Sequence, residues 1–139
     1  MGYRNGGRSG KFYQEQVEQI LALIERRFKD SITLEQYLKI CEQTGQEPNP
    51  AEMPPEDGDF PIEVQQALLI HTLLPDRWDG MSGSYMGKDW SALEALLNIH
   101  EIEDKRQVCF FLKYVENANM ININDELKHK RDAEKRRMK

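Results

Sequence analysis

The chain has 139 residues, enough for one domain, with 39% hydrophobic and 31% charged residues and a formal net charge of −5. No apolar run approaches the roughly 18 residues that a membrane span needs. The first ten residues are mostly Gly, Arg, Asn and Ser with no hydrophobic segment behind them, so a secretory signal is not expected and a cytoplasmic location is. The two cysteines, Cys41 and Cys109, lie far apart in helical patterns and read as reduced thiols in the core.

The charge is unevenly placed. Glu42, Glu47, Glu52, Glu56, Asp57, Asp59, Glu63 and Asp76 follow one another with no Lys or Arg between them. From Asp125 to Lys139, seven Lys and Arg face four acids, leaving −8 for the rest of the chain. An acidic body argues against a general nucleic-acid binder, which needs a broad basic face. The tail alone has the charge to meet phosphate or an acidic partner.

In chain order, residues 1–11 have no hydrophobic period and are expected to form a disordered arm. From Tyr13 to Phe28, Val17, Ile20, Leu21, Ile24 and Phe28 recur at three- and four-residue steps, which predicts a core helix. Thr33 followed by Gln36 forms a capping box that starts a second helix, and Ile32 with Tyr37 suits a hydrophobic staple. Leu34, Tyr37, Leu38 and Cys41 supply its apolar face, and Gly45 its left-handed stop. The short join around Asp30 predicts an αα-hairpin between these two helices. Gln46 to Phe60 is rich in proline and acids and reads as an extended, solvated linker.

Phe60 to Leu74 is so densely apolar that a central helix buried nearly all round is expected, with Pro61 at its first position. His71 lies in it alone, with no His or Cys one turn away to make a metal pair. Pro75 ends the helix. A loop follows that holds both tryptophans and Gly80, Gly83 and Gly87. The next helix is expected at Trp90 to Ile99, capped by Asp89, or by Ser91 with Glu94. The fifth, Glu103 to Ala118, carries Val108, Phe111, Leu112 and Val115 inward. Asn117, Asn119, Asn122 and Asn124 then mark a break or a kinked continuation. These elements predict an all-α, single-domain bundle of about five helices over residues 12–124. A charged tail, helical or mobile, follows over 125–139.

The Gly/Trp loop gathers carboxylates, hydroxyls and glycines in one stretch. Gly83 to Lys88 is one residue short of a Walker A phosphate loop, and Asp89 stands where Ser or Thr would hold magnesium. Asp76, Asp79, Asp89, Ser82 and Ser84 have no histidine near them in sequence, and acids in Gly-rich turns usually bond local backbone N–H groups. The sequence therefore points to no catalytic residue, no cofactor and no metal. Trp78, Tyr85, Met86 and Trp90 are large and apolar, Arg77 and Lys88 add cationic donors, and Trp, Tyr and Arg dominate interface energetics, so Arg77, Trp78, Tyr85, Lys88 and Trp90 are the expected partner-binding residues. The competing expectation is that Trp78 and Trp90 plug the helical core.

The run Asp59-Phe60-Pro61-Ile62-Glu63-Val64-Gln65, then Leu73 to Gly80 and Tyr85 to Asp89, resembles small proteins encoded among the tail and baseplate genes of T-even-like, largely marine, tailed bacteriophages. The likeness spans about Ile32 to Val115. It implies a non-enzymatic accessory protein that chaperones tail or baseplate-hub assembly in the host cytoplasm, with other phage structural proteins as partners and no membrane. The rival expectation is a small-terminase-like, nucleic-acid-associated packaging or regulatory protein. It would use Lys128, Lys130, Arg131, Lys135, Arg136, Arg137 and Lys139 on phosphate.

Overall fold

A computed structural model describes residues 8–10, 12–29 and 32–138. Among them the chain is mostly helical, but it is not a pure helix bundle, because two short antiparallel strand pairs interrupt it. The order is β1 (Arg8–Ser9), β2 (Phe12–Tyr13), α1 (Gln14–Lys29), α2 (Leu34–Thr44), α3 (Ile62–Leu73), β3 (Asp76–Trp78), β4 (Tyr85–Lys88), α4 (Leu93–Ile99) and α5 (Lys105–Arg137).

β1 pairs with β2, so the arm expected over 1–11 is ordered at Arg8 to Gly10; residues 1–7 and Lys11 lie outside the described residues. The cause is Phe12. Its ring is buried and meets Phe111 edge-on at 5.5 Å, which ties this end of the chain to the core.

α5 is the axis of the fold and packs against α1 on one side and α3 on another. Val17, Ile20 and Ile24 of α1, Val64, Ala67, Leu68 and Ile70 of α3, and Val108, Phe111, Leu112 and Val115 of α5 make one core. Leu97 of α4 and Ile102 behind it close its edge. α3 is less enclosed than its sequence predicts. Ile62, Leu69 and Leu73, seven and four residues apart, form an exposed stripe, because α1, α4 and α5 do not surround it.

α2 begins with the expected capping box: the Thr33 hydroxyl accepts from Gln36 N–H at 3.1 Å, and the Gln36 side chain accepts from Thr33 N–H. It ends at Gly45 with φ +72°. The αα-hairpin is not formed, since α2 does not pack along α1. The connecting residues 30–31 lie outside the described residues. The proline-rich segment holds α2 in place: Tyr37 Oη accepts from Asn49 N–H at 3.0 Å. The same segment is tied to the end of α1, where an Arg26 N–H donates to the Met53 carbonyl and Arg27 pairs with Asp57 at 2.7 Å. It is thus an anchored strap, with Pro54 and Pro55 buried.

α4 starts at Leu93, later than expected, and its cap position is Ala92, with no side-chain bond. Ser91 is occupied elsewhere, donating through N–H and Oγ to Asp89 Oδ1. The helix ends in a Schellman motif: Ile102 N–H reaches Leu97 O, Glu101 N–H reaches Asn98 O, and Glu101 takes φ +50°. Asp104 then caps α5 by accepting from Gln107 N–H at 3.1 Å. No break follows the asparagines. α5 runs 33 residues, about 50 Å at 1.5 Å per residue, straight through the expected boundary at 124–125.

Candidate functional site

The Gly/Trp segment is a β-hairpin, not a loop. Asp76 pairs with Lys88 and Trp78 with Tyr85, with an irregularity between them. The tip is closed by Asp79. Its backbone N–H donates to Ser84 O, its carbonyl accepts from Gly83 N–H, and its carboxylate accepts from Met81 N–H and Ser82 Oγ. These bonds, Ser82 first, hold the Asp79 carboxyl below its ordinary pKa. Asp89 is held low in the same way by Ser91. Both acids therefore do the local turn work expected of them.

Asp76 does not. Its Oδ1 lies 3.0 Å from Lys88 Nζ and accepts from Tyr85 Oη at 2.8 Å. The Lys88 contact is the main reason its carboxyl titrates low. Asn119 of α5 donates to Tyr85 Oη at 3.2 Å. Burial, reinforced by Asp76, pushes the Tyr85 phenol well above its usual range, so it stays a protonated donor.

Beneath the hairpin a second cluster joins α3 to α5. His71 Nε2 lies 3.1 Å from Glu116 Oε1, and both side chains are buried. The other carboxylate oxygen, Oε2, accepts from the backbone N–H of Lys88. Desolvation lowers the His71 pKa against the opposing pull of Glu116, so the ring is neutral at pH 7 and donates one hydrogen to the carboxylate. Phe28 of α1 meets the same ring edge-on at 6.2 Å.

Gly87 makes this approach possible. Its φ is +90°, and a Cβ there would stand 2.9 Å from Glu116 Oε2 and 3.3 Å from Met120 Sδ. The residue is glycine for two reasons, conformation and space.

The five expected partner-binding residues divide. Trp78 is 52% exposed, Trp90 38%, and Arg77 is also exposed. Neither tryptophan belongs to the core, and Trp78 instead meets the Tyr85 ring edge-on at 5.0 Å. Tyr85 and Lys88 correct the expectation, since they are 2% and 9% exposed. Their polar ends are committed to Asp76 on the neighbouring strand, and Tyr85 also to Asn119. Met81 at the tip, 96% exposed, and Met86 on β4 are exposed as well. Glu116, His71 and Asn119 escaped the sequence reading as partners of the hairpin. The only hint was that each is a polar residue inside an otherwise apolar helix stripe.

Both cysteines are free, and burial raises the Cys109 thiol pKa. Among the described residues no three His, Cys, Asp or Glu side chains cluster so as to hold a metal ion, and no helix is long and apolar enough to cross a membrane. No protein-family model, curated protein or solved structure matches the chain.

Proposed function

We propose that this chain is a non-enzymatic interaction protein that presents the β3–β4 hairpin to a protein partner. One observation carries the reading. Trp78, Met81 and Met86 on a short hairpin, and Trp90 just after it, remain exposed, while the hairpin's underside is bonded to Glu116 and Asn119 of α5, Glu116 being held in turn by His71 of α3. A two-stranded hairpin alone is marginal in water. This one is held rigid, so its apolar side chains lose little freedom on binding, and Trp with Arg is the usual composition of a binding hot spot. His71, Glu116, Lys88 and Asp76 are used up in holding it, which leaves them no evident role toward a substrate.

The likeness of Asp59 to Gln65, Leu73 to Gly80 and Tyr85 to Asp89 to phage tail and baseplate assembly proteins supplies the partner class: a structural component of a phage tail or baseplate hub, chaperoned before assembly. The test is capture of tail or baseplate proteins on the immobilised chain. Trp78→Ala should weaken it by about 2 kcal/mol, roughly thirtyfold, while leaving the helical circular dichroism intact. Equal capture by wild type, Trp78→Ala and Arg77→Ala would refute the reading.

The packaging reading draws on a different observation. Lys128, Lys130, Arg131, Lys135, Arg136 and Arg137 lie exposed on one continuous helix, a shape that fits the DNA major groove. It requires duplex binding that falls steeply with salt and disappears on removal of residues 125–139.

A further inference from the structure

We infer that the chain self-associates as a two-fold dimer through the far end of α5, the basic overhang of each copy lying on the acidic strap of the other. This interface is separate from the hairpin and does not depend on the function proposed for it.

α1 and α5 run in the same direction. Phe12, just before α1, meets Phe111, and the last two turns of α1 flank α5 from Tyr114 to Asp125. Lys29 ends α1, but α5 continues to Arg137, about 18 Å further. From Leu127 to Met138 this overhang holds six Lys and Arg against Asp132 and Glu134. Among the described residues none of those six is in an ion pair with the chain's own acids.

The strap crosses the same end of the molecule, fastened there by Arg26 to Met53 and Arg27 to Asp57. Its Glu47, Glu52, Glu56 and Asp59 are exposed, and the sequence offers no Lys or Arg between Glu42 and Asp76 to offset them. A strap on which only Asp57 is paired, with Arg27 of α1, and a cationic helix with no ion pair of its own thus share one end of the bundle. In a two-fold dimer each copy donates its helix to the other's strap, so both charges are met twice over.

An apolar element lies on the same face. A groove of about 370 Å³ runs between α1 and α5, walled by Ile24, Phe28, Tyr114, Ala118 and Ile121. Ile121 stands more than half exposed, and Asp125 closes the rim. Steps of three and four residues carry the Ile121–Asp125 face of α5 on to Lys128, Arg131 and Lys135. The groove and the basic stripe are therefore continuous, and crossing the two α5 helices on this face covers the apolar wall while it pairs the charges.

Charge reversal tests the arrangement. Sedimentation velocity at low ionic strength should show the wild-type chain at twice its monomer mass, shifting to monomer at about 1 M salt, where the screening length is about 3 Å. A first variant carries Lys128→Glu, Arg131→Glu and Lys135→Glu; a second carries Glu52→Lys and Glu56→Lys. Each should be monomeric alone, with unchanged circular dichroism. Mixed, they should dimerise again, since each reversed helix then meets a reversed strap. A wild-type monomer at every concentration overturns the proposal. So does a dimer that neither reversal weakens, or a monomer that binds duplex DNA through the overhang.

Discussion

Gly87→Ala offers the sharpest test of how the hairpin is held. Two costs follow from the geometry. An L-residue at φ +90° is strained by about 1–2 kcal/mol. The new Cβ would also stand 2.9 Å from Glu116 Oε2, so that carboxylate must move. It cannot move freely, because Oε2 accepts from Lys88 N–H and Oε1 contacts His71. Loss of a hydrogen bond to a charged group costs about 1.5–3 kcal/mol. The two together predict a destabilisation of about 2.5–5 kcal/mol. Gly83→Ala is the internal control: its φ is +73°, but a Cβ there meets nothing within 4 Å, so only the strain of about 1–2 kcal/mol applies. Urea unfolding followed by circular dichroism at equal m-value measures both. If the two substitutions differ by less than about 0.5 kcal/mol, Glu116 does not fix the hairpin.

Two further outcomes bear on the same network. His71 is neutral when folded and takes a proton more readily when unfolded, so wild-type stability should fall as pH drops below about 6.5 toward its lower folded pKa. His71→Gln, which keeps a donor for Glu116, should flatten that slope in pH-dependent urea titrations; an unchanged slope would assign it to other groups. Asp76→Asn leaves the buried Lys88 ammonium without its anion and should cost about 2 kcal/mol, with Asp76 half exposed and solvent softening the loss. Thermal unfolding of the variant should show it, and a midpoint equal to wild type would mean that water replaces Asp76 fully.

Helix content was legible wherever an apolar period or a cap spoke locally. Val17 to Ile24 and Val108 to Val115 lie inward as their spacing requires, and Thr33, Gln36 and Gly45 do at both ends of α2 what their chemistry predicts. Ser91 with Glu94 spells an equally good capping box and forms none, because Asp89 draws the Ser91 N–H and hydroxyl to itself. The asparagines of α5 mislead for a related reason. Asn119 spends its amide on Tyr85 and Met120 lies against Gly87, so tertiary contact carries the helix across residues of weak propensity.

The chemistry of the hairpin was half visible. The sequence left Trp78 and Trp90 open between core and surface, and the structure leaves both at least partly exposed, with Arg77 outside too, while the tip acids bond locally. Tyr85 and Lys88 are buried, and no local rule separates them from their neighbours: alternation along a strand assigns faces only once the strand is known, and Gly-rich sequence hid it.

The sequence alone thus determined where the helices lie, both ends of α2 and the polarity of the chain, because those depend on residues within one or two turns of each other. Only the tertiary structure decided which side chains of the hairpin are spent and which are free. Glu116 lies 28 residues from Lys88 and 45 from His71, and a buried carboxylate chooses its partners by what the packed helices bring within reach.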